Sequence, residues 1–336
     1  MSMKILSPQQ FSYDVSTIGG YSDQVGGELL AKALIGATTP KYANVRLGVK
    51  GTQALNLLDS TPTFQSGYCS LTPSGTTTFT QHYITTCPET LFEALCYKQL
   101  YPTYQSMLMT AGQTSETVPF EQMIADLKVK QIQQRIENQL WNADTTNSST
   151  GNTFNCFNGF AKLISKSTGN TFADAIADSN GTAFTVTGNT LTAGNPIYEV
   201  NKLLNVLDDN ALSREDLIVF MSYSNWKKYL QALTAANYFQ NYIGSTDLTS
   251  NMEATHANTN VKVVPTIGLN GSNQVVVGPR EYFVVGFDLL SDHETMNLWY
   301  SKDFDEIRMR ANYNYGATIA TFGTTKYFAT NGLGTI

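Results

Sequence analysis

Charge is scarce in this 336-residue chain: Asp, Glu, Lys and Arg make up 14% of it, against 42% hydrophobic residues. With 21 Lys and Arg against 27 Asp and Glu, the net charge is −6, and no basic block or stripe stands out. That balance argues against a protein whose work is to grip nucleic acid, because neutralising phosphates needs a basic face. It leaves open a container around nucleic acid, whose inner wall gains nothing by sticking to its contents. Histidine is scarcer still. His82, His256 and His293 are the full set, each in a different expected element, and there is no G-x-S-x-G, H-E-x-x-H, Walker or dinucleotide-binding string. Catalytic residues and cofactors are therefore not expected.

Cysteine is sparse and unpatterned. Cys69, Cys87, Cys96 and Cys156 include no C-x-x-C pair and have no histidine at ligand spacing, so zinc is not expected. The expected state is that of reduced thiols acting as small buried hydrophobes. Long apolar runs are also missing: nothing approaches the roughly 20 residues that cross a bilayer, and the opening Met1–Pro8 breaks before any apolar run. A soluble, unexported chain with no membrane partner is the expectation, and the sequons at Asn147, Asn180 and Asn270 then mark only loops. The densest acidic group, Asp303, Asp305 and Glu306, lacks the glycine turn and terminal Glu of an EF-hand. Read as a strand, it puts Asp303 and Asp305 on one face and Glu306 on the other, a solvated edge rather than a metal site. Asp208-Asp209 reads as a turn.

What the chain has is Thr, Asn, Gly and Tyr, a polar but weakly charged texture. Such surfaces suit large contact areas, since Lys and Glu are residues that interfaces tend to exclude. Residues 1 to 45 are a weakly patterned arm with one short helical stretch, Glu28 to Ile35. Ala54 to Phe64 and Thr76 to Thr86 alternate as strands and pair into a long hairpin around Ser66–Gly75, with too few large apolar residues to form a core alone. A two-stranded arm of this kind is marginal in isolation and needs a partner surface. Thr86-Cys-Pro-Glu reads as a capping box opening a helix to about Tyr101. From Pro119, the residues Phe120, Met123, Ile124, Leu127, Ile132, Ile136 and Leu140 recur at helical spacing, an amphipathic rod more than about 30 Å long. Phe157 to Ile164 resumes an apolar pattern, and Gly169 to Gly194 holds one strand expectation, Ala183 to Thr187. Ile197 to Leu207, Leu217 to Met221 and Asn225 to Leu233 follow as helix, strand and helix. After a polar loop from Ala235 to Asn260 come closing strands around Val261–Pro265, Asn273–Arg280 and Met296–Gly316.

That order resembles the Hong Kong 97 fold of tailed-phage major capsid proteins. The best local similarities are Gln139-Leu-Trp-Asn-Ala-Asp with Asn158-Gly-Phe-Ala-Lys-Leu-Ile, Leu217-Ile-Val-Phe-Met-Ser-Tyr-Ser-Asn-Trp-Lys-Lys-Tyr-Leu, and the closing strands. The resemblance implies an α+β chain with an N-arm at 1–45 and an E-loop at 46–86. It also implies a peripheral domain with a spine helix at 87–194 and 263–336, and an axial domain at 195–262. It further implies a structural role, with pentamers and hexamers forming an icosahedral head around double-stranded DNA. The expected partners are further copies of the chain, a separate scaffolding protein, a portal, decoration proteins, and DNA through weak nonspecific contact. The chain would belong to the virion and be made in the host bacterial cytoplasm. Intersubunit contact is expected at Arg46, Phe64, Tyr68, Tyr83, Tyr238, Phe239 and Tyr242. Core packing is the expected fate of Trp226 and Tyr229.

Two further expectations follow from the resemblance. About 45 residues before the hairpin are too few for an independent scaffold domain, so scaffolding is expected from another chain. The isopeptide cross-link of some relatives needs a lysine in the E-loop, and none occurs from Gly51 to Glu89; Lys50 and Lys98 flank that stretch. The alternatives are an encapsulin-like nanocompartment shell of the same fold, a carbohydrate-binding or tail-associated surface protein, and an enzyme whose site is assembled only in three dimensions.

Overall fold

The computed structural model describes residues 36–67, 72–96, 120–146, 156–165, 196–207, 209–236, 253–256, 259–272, 274–288, 295–304, 306–320 and 327–330. In chain order the elements begin with a short helix α1 (Thr38–Tyr42), then strands β1 (Asn44–Leu47), β2 (Thr52–Pro62), β3 (Gly75–Thr85) and β4 (Cys87–Leu95). Helices α2 (Phe120–Asn142), α3 (Phe160–Ser165), α4 (Pro196–Val206) and α5 (Asp209–Leu212) lead to β5 (Leu217–Met221) and α6 (Tyr223–Ala235). Then come β6 (Ala254–Thr255), β7 (Lys262–Pro265), β8 (Val275–Pro279), β9 (Phe283–Phe287), β10 (Thr295–Ser301), β11 (Glu306–Ile319) and β12 (Ala329–Thr330). The helical stretch at Glu28 to Ile35 and the strand at Ala183 to Thr187 lie outside the described residues.

The chain divides into two compact units. The larger comprises residues 33–88, 130–291 and 314–336. Its centre is the mixed sheet β12-β8-β5-β7-β6, in which β5 runs parallel to β7 and antiparallel to β8. Strand β5, Leu-Ile-Val-Phe-Met, is buried at every residue, and its period of two sends alternate side chains to opposite faces. Leu217, Val219 and Met221 join a cluster with Val200, Leu203 and Leu204 of α4 and Trp226, Tyr229 and Leu233 of α6. Phe220 meets Trp141 and Phe283, and Phe160 meets the same two rings, all edge-to-face with centroids 5.2 to 5.5 Å apart, while Trp141 and Phe283 are tilted against each other at 6.3 Å. Each such pair adds about 1 kcal/mol to simple burial. Helix α6 starts at Tyr223 because the Ser222 hydroxyl accepts from the Asn225 N–H, an N-cap.

Of the carboxylates buried in this unit, Glu137 is the one held by the most hydrogen bonds among the described residues. Glu137 of α2 accepts from the N–H of Thr39 at 3.0 Å and from the hydroxyls of Thr39 and Thr266. The Thr39 oxygen in turn accepts from the Trp141 indole N–H at 2.8 Å. Burial pushes the Glu137 carboxyl above its ordinary value, opposed by these hydrogen bonds.

The smaller unit comprises residues 1–32, 89–129 and 292–313. Within it β10 pairs antiparallel with Glu306–Asn312 of β11, from Thr295↔Asn312 to Ser301↔Glu306. Lys128 of α2 is buried and pairs with Glu93 of β4. On another face the rings of Phe92 and Trp299 stack at 6.2 Å, and the Thr90 hydroxyl donates to Asn312 at 2.9 Å.

The long helix, the hairpin and the helix-strand-helix run stand where their sequence periods put them. Four expectations are corrected. Residues 87–95 form strand β4, not a helix: burial alternates along them, β4 pairs with β11, and the Thr86 hydroxyl donates to the carbonyls of Val49 and Gly51 in place of capping. Cys87 and Cys156 form a disulfide rather than two free thiols, and Cys96 is exposed. Asp303 lies in the exposed turn between β10 and β11 rather than on a strand. Asp209 opens the short helix α5.

Candidate functional site

Among the described residues of the larger unit, the β2–β3 hairpin carries the most exposed large apolar side chains. Eleven antiparallel residue pairs run from Thr52↔Thr85 to Pro62↔Gly75. Polar cross-strand contacts stiffen it: Thr52 with Thr85 at 3.2 Å, Ser60 with Thr77 at 3.1 Å, and the Gln81 amide donating to Asn56 at 3.1 Å. At the tip Gln65 donates to the Thr72 carbonyl and to Ser74, and accepts from the Thr72 N–H.

The root is fixed in a different way. Leu55 and Ile84 are buried with Val49, Val284 and Ala320. Glycines let the root sit close to β9 and β11: a Cβ on Gly316 would fall 2.0 Å from the Thr85 carbonyl oxygen, and one on Gly286 2.8 Å from Ile84. The Thr86 N–H donates to Gly51 at 2.8 Å, and Gly51 takes φ +66°, a conformation that favours glycine.

Beyond the root the hairpin stands out from the described residues of its unit. Every side chain with a described environment from Asn56 to Gln81 is exposed. The ladder register sorts them. Leu55 and Ile84 belong to one face, and the opposite face carries the pairs Ala54↔Tyr83, Asn56↔Gln81 and Leu58↔Phe79. Leu58 is 55%, Phe79 78% and Tyr83 58% exposed, and Phe64 near the tip is 91% exposed. An exposed apolar stripe of this kind marks an interaction surface, a ligand groove or an aggregation-prone face.

Of the residues expected at contacts, Phe64 and Tyr83 lie on this hairpin. Arg46 is exposed on β1 and lines a cavity of about 390 Å³ beside the root, with Asn44, Leu47, Gln53, Asn56 and Tyr282. Tyr68, Tyr238, Phe239 and Tyr242 lie outside the described residues. Leu58 and Phe79, exposed on the same face as Tyr83, are not among the residues expected. Their alternation with polar neighbours is visible in the sequence, but which face the body would cover is not.

Two polar centres elsewhere in the unit pair internally, around His256 and around Arg214. Buried His256 accepts at Nδ1 from the Tyr229 hydroxyl, 2.7 Å, and donates from Nε2 to Oδ1 of the Asn201 side-chain amide, 2.7 Å. Burial pushes its imidazole down to about 4. Arg214 holds Asp216 through two bonds of 2.7 and 3.0 Å and Glu281 at 2.8 Å. Burial works against ionisation of Asp216, but the hydrogen bonds from Arg214 outweigh it and hold its carboxyl low. Trp226 and Tyr229 are core residues, as expected. Among the described residues, no three His, Cys, Asp or Glu side chains gather where they would hold a metal. Nor is any helix among them long and apolar enough to cross a membrane.

No family model matches the chain, and no curated protein matches it. Solved structures do. A chain of the satellite phage P4 procapsid, solved with its size determination (Sid) protein, aligns with a TM-score of 0.55 at 10% identity, over 96% of this chain and 93% of that one. A chain of Microbacterium phage Oxtober96 aligns with a TM-score of 0.52 at 11% identity, covering 88% and 90%. A chain from the capsid of an empty GTA particle gives 0.50 at 12% identity, covering 88% of each. At such identities the likeness is one of fold, and it extends over nearly the whole chain: this is a mixed α+β protein built as chains of phage procapsid and GTA capsid structures are built.

Proposed function

We propose that the chain is a structural shell subunit, a major capsid protein of a tailed bacteriophage with the Hong Kong 97 fold. The observation that carries the reading is the hairpin: eleven residue pairs anchored at the root, with Leu58, Phe79, Tyr83 and Phe64 exposed among the described residues. A ribbon of this length cannot stabilise itself in water and gains stability from a covering surface. The surface proposed is a neighbouring copy. Residues 46–86 then act as the E-loop, 1–45 as the N-arm, 195–262 as the axial domain, and 87–194 with 263–336 as the peripheral domain containing α2 as spine helix.

On this reading the subunits form pentamers and hexamers of an icosahedral head. Many modest contacts drive assembly, and the low charge of the surface keeps desolvation cheap at each of them. Arg46, Tyr68, Tyr238, Phe239 and Tyr242 are proposed as further contact residues. A separate scaffolding protein, a portal and decoration proteins complete the partners, and duplex DNA is held inside by weak nonspecific contact. Fold likeness along the whole chain to procapsid and capsid chains supports a shell over a carbohydrate-binding or enzymatic role.

Electron microscopy of the purified protein, expressed alone and with its neighbouring genes, tests the proposal. Closed polyhedral shells or ring-shaped capsomers are expected. A monomer that forms neither under any assembly condition would overturn it, and shells filled with protein cargo in place of DNA would move the assignment to a nanocompartment.

A further inference from the structure

We infer that Cys87 and Cys156 are a reversible oxidation site whose closure clamps the root of the β2–β3 hairpin. The two residues are 69 positions apart in sequence, and the bridge between them holds their Cα atoms 6.1 Å apart, within the span a disulfide accepts. Cys87 directly follows Thr86, the residue that hydrogen-bonds Val49 and Gly51 at the root. It is therefore the point at which the return strand leaves the anchored base. Cys156 lies on a segment tied to the end of α2. Its neighbour Phe157 is buried edge-on against Tyr315 at 5.5 Å, and the Gly159 N–H donates to the Ala143 carbonyl at 2.7 Å. A Cβ on Gly159 would fall 2.4 Å from the Trp141 carbonyl oxygen, so this approach admits little play.

The two sulfurs are unequal. Cys87 is buried and Cys156 belongs to an exposed residue, so the order of exchange follows from access. With a small-molecule disulfide such as oxidised glutathione, the Cys156 thiolate attacks one glutathione sulfur, breaks its S–S bond and expels a glutathione thiolate. The Cys87 thiolate then attacks the Cys156 sulfur of the mixed disulfide and expels the second glutathione thiolate. Two protein thiols lose two electrons and two protons; one glutathione disulfide gains both and becomes two thiols. A reductant reverses the sequence from the exposed side. Open, the hairpin root rests on packing and hydrogen bonds alone. Closed, its exit is joined covalently to the segment after α2. The inference rests on the shell reading only for its use: an arm free to settle while subunits are being placed, fixed once particles meet oxidising surroundings.

The test uses the unassembled full-length protein, so its outcome is independent of whether shells form. After purification under reductant, half is treated with oxidised glutathione, and both halves are alkylated, mapped by mass spectrometry without reduction, and followed by hydrogen exchange. Oxidation is expected to yield a Cys87–Cys156 linked peptide and to slow exchange at Val49–Thr52 and Ile84–Cys87 at least about tenfold, with dithiothreitol restoring the faster rate. Cys87→Ser should trap glutathione on Cys156, and Cys96→Ser should behave as wild type. Should Cys156→Ser not fold, the wild-type protein under reductant supplies the same open state. A bridge that forms instead with Cys69 or Cys96, or root exchange identical in both redox states, would overturn the inference.

Discussion

Replacing Phe79 with Ala separates folding from the proposed assembly, because the ring is 78% exposed on a face that the described residues of its unit do not cover. Fully burying a Phe removes on the order of 200 Å² from water. The exposed part of this ring therefore offers roughly 150 Å², or about 4 kcal/mol at about 25 cal/mol per Å². That is an upper bound, since ordering the side chain and imperfect cover reduce it. A loss of about 2 kcal/mol per contact lowers the association constant about thirtyfold. Its pair partner Leu58, 55% exposed, contributes about 1 kcal/mol more by the same area argument. The variant's own fold should hardly notice: a surface truncation away from packed groups stays within about 0.5 kcal/mol. Urea unfolding measures the first quantity, and sedimentation or light scattering across a concentration series measures the second. The expected result is an unchanged unfolding midpoint with the threshold for assembly raised by an order of magnitude or more. Assembly at the wild-type threshold would refute the docking face, and a large drop in the unfolding midpoint would mean that Phe79 is covered within its own chain.

Other outcomes can be checked on the single chain. His256 keeps its imidazole neutral down to about 4, whereas the unfolded chain takes up a proton near 6.5. Folding stability should therefore fall as pH drops from about 6.5 towards 4, by roughly 3 kcal/mol, and in His256→Asn this slope should disappear from pH-dependent unfolding curves. Glu137→Leu leaves the Thr39 N–H and the hydroxyls of Thr39 and Thr266 without their acceptor, and calorimetry should register a loss of about 3 kcal/mol or more. In Gly268→Ala the new Cβ would lie 2.3 Å from the Trp141 ring and 2.6 Å from the Glu137 carbonyl oxygen. The latter is helix backbone and cannot step aside, so a cost of about 3 kcal/mol is expected. If particles form, boiling them in denaturant with reductant should release monomers of 36.9 kDa; a ladder of resistant oligomers would mean that the loop is misassigned or that another cross-link forms.

Much of this architecture is local and therefore legible in the sequence. The long helix announces itself through Ile124, Ile132, Ile136 and Leu140, and the hairpin through alternation on either side of Ser66–Gly75. The apolar run Leu217–Met221 marks a strand, which the structure buries on both faces, whereas the helix expected from Asn225 starts at Tyr223 under the Ser222 cap. The failures came where distant residues decide. Thr86-Cys-Pro-Glu offers the local chemistry of a helix start, but Thr86 spends its hydroxyl on Val49 and Gly51, and pairing with β11 draws the segment out as a strand. Cys87 and Cys156 carry no sign of each other across 69 residues. Glu137 reads as another polar residue of an amphipathic helix, and only the arrival of Thr39 and Thr266 makes it a buried acceptor. The bare stripe of Leu58 and Phe79 likewise depends on which hairpin face Leu55 and Ile84 bring against Val284 and Ala320.

The most direct test of the central claim is a cryo-electron microscopy map of assembled particles in which the hairpin can be traced. Side chains of a second copy are expected within about 4.5 Å of Leu58 and Phe79, on the face opposite Leu55 and Ile84. A hairpin lying in solvent, or folded back with Phe79 against its own subunit, would contradict the account.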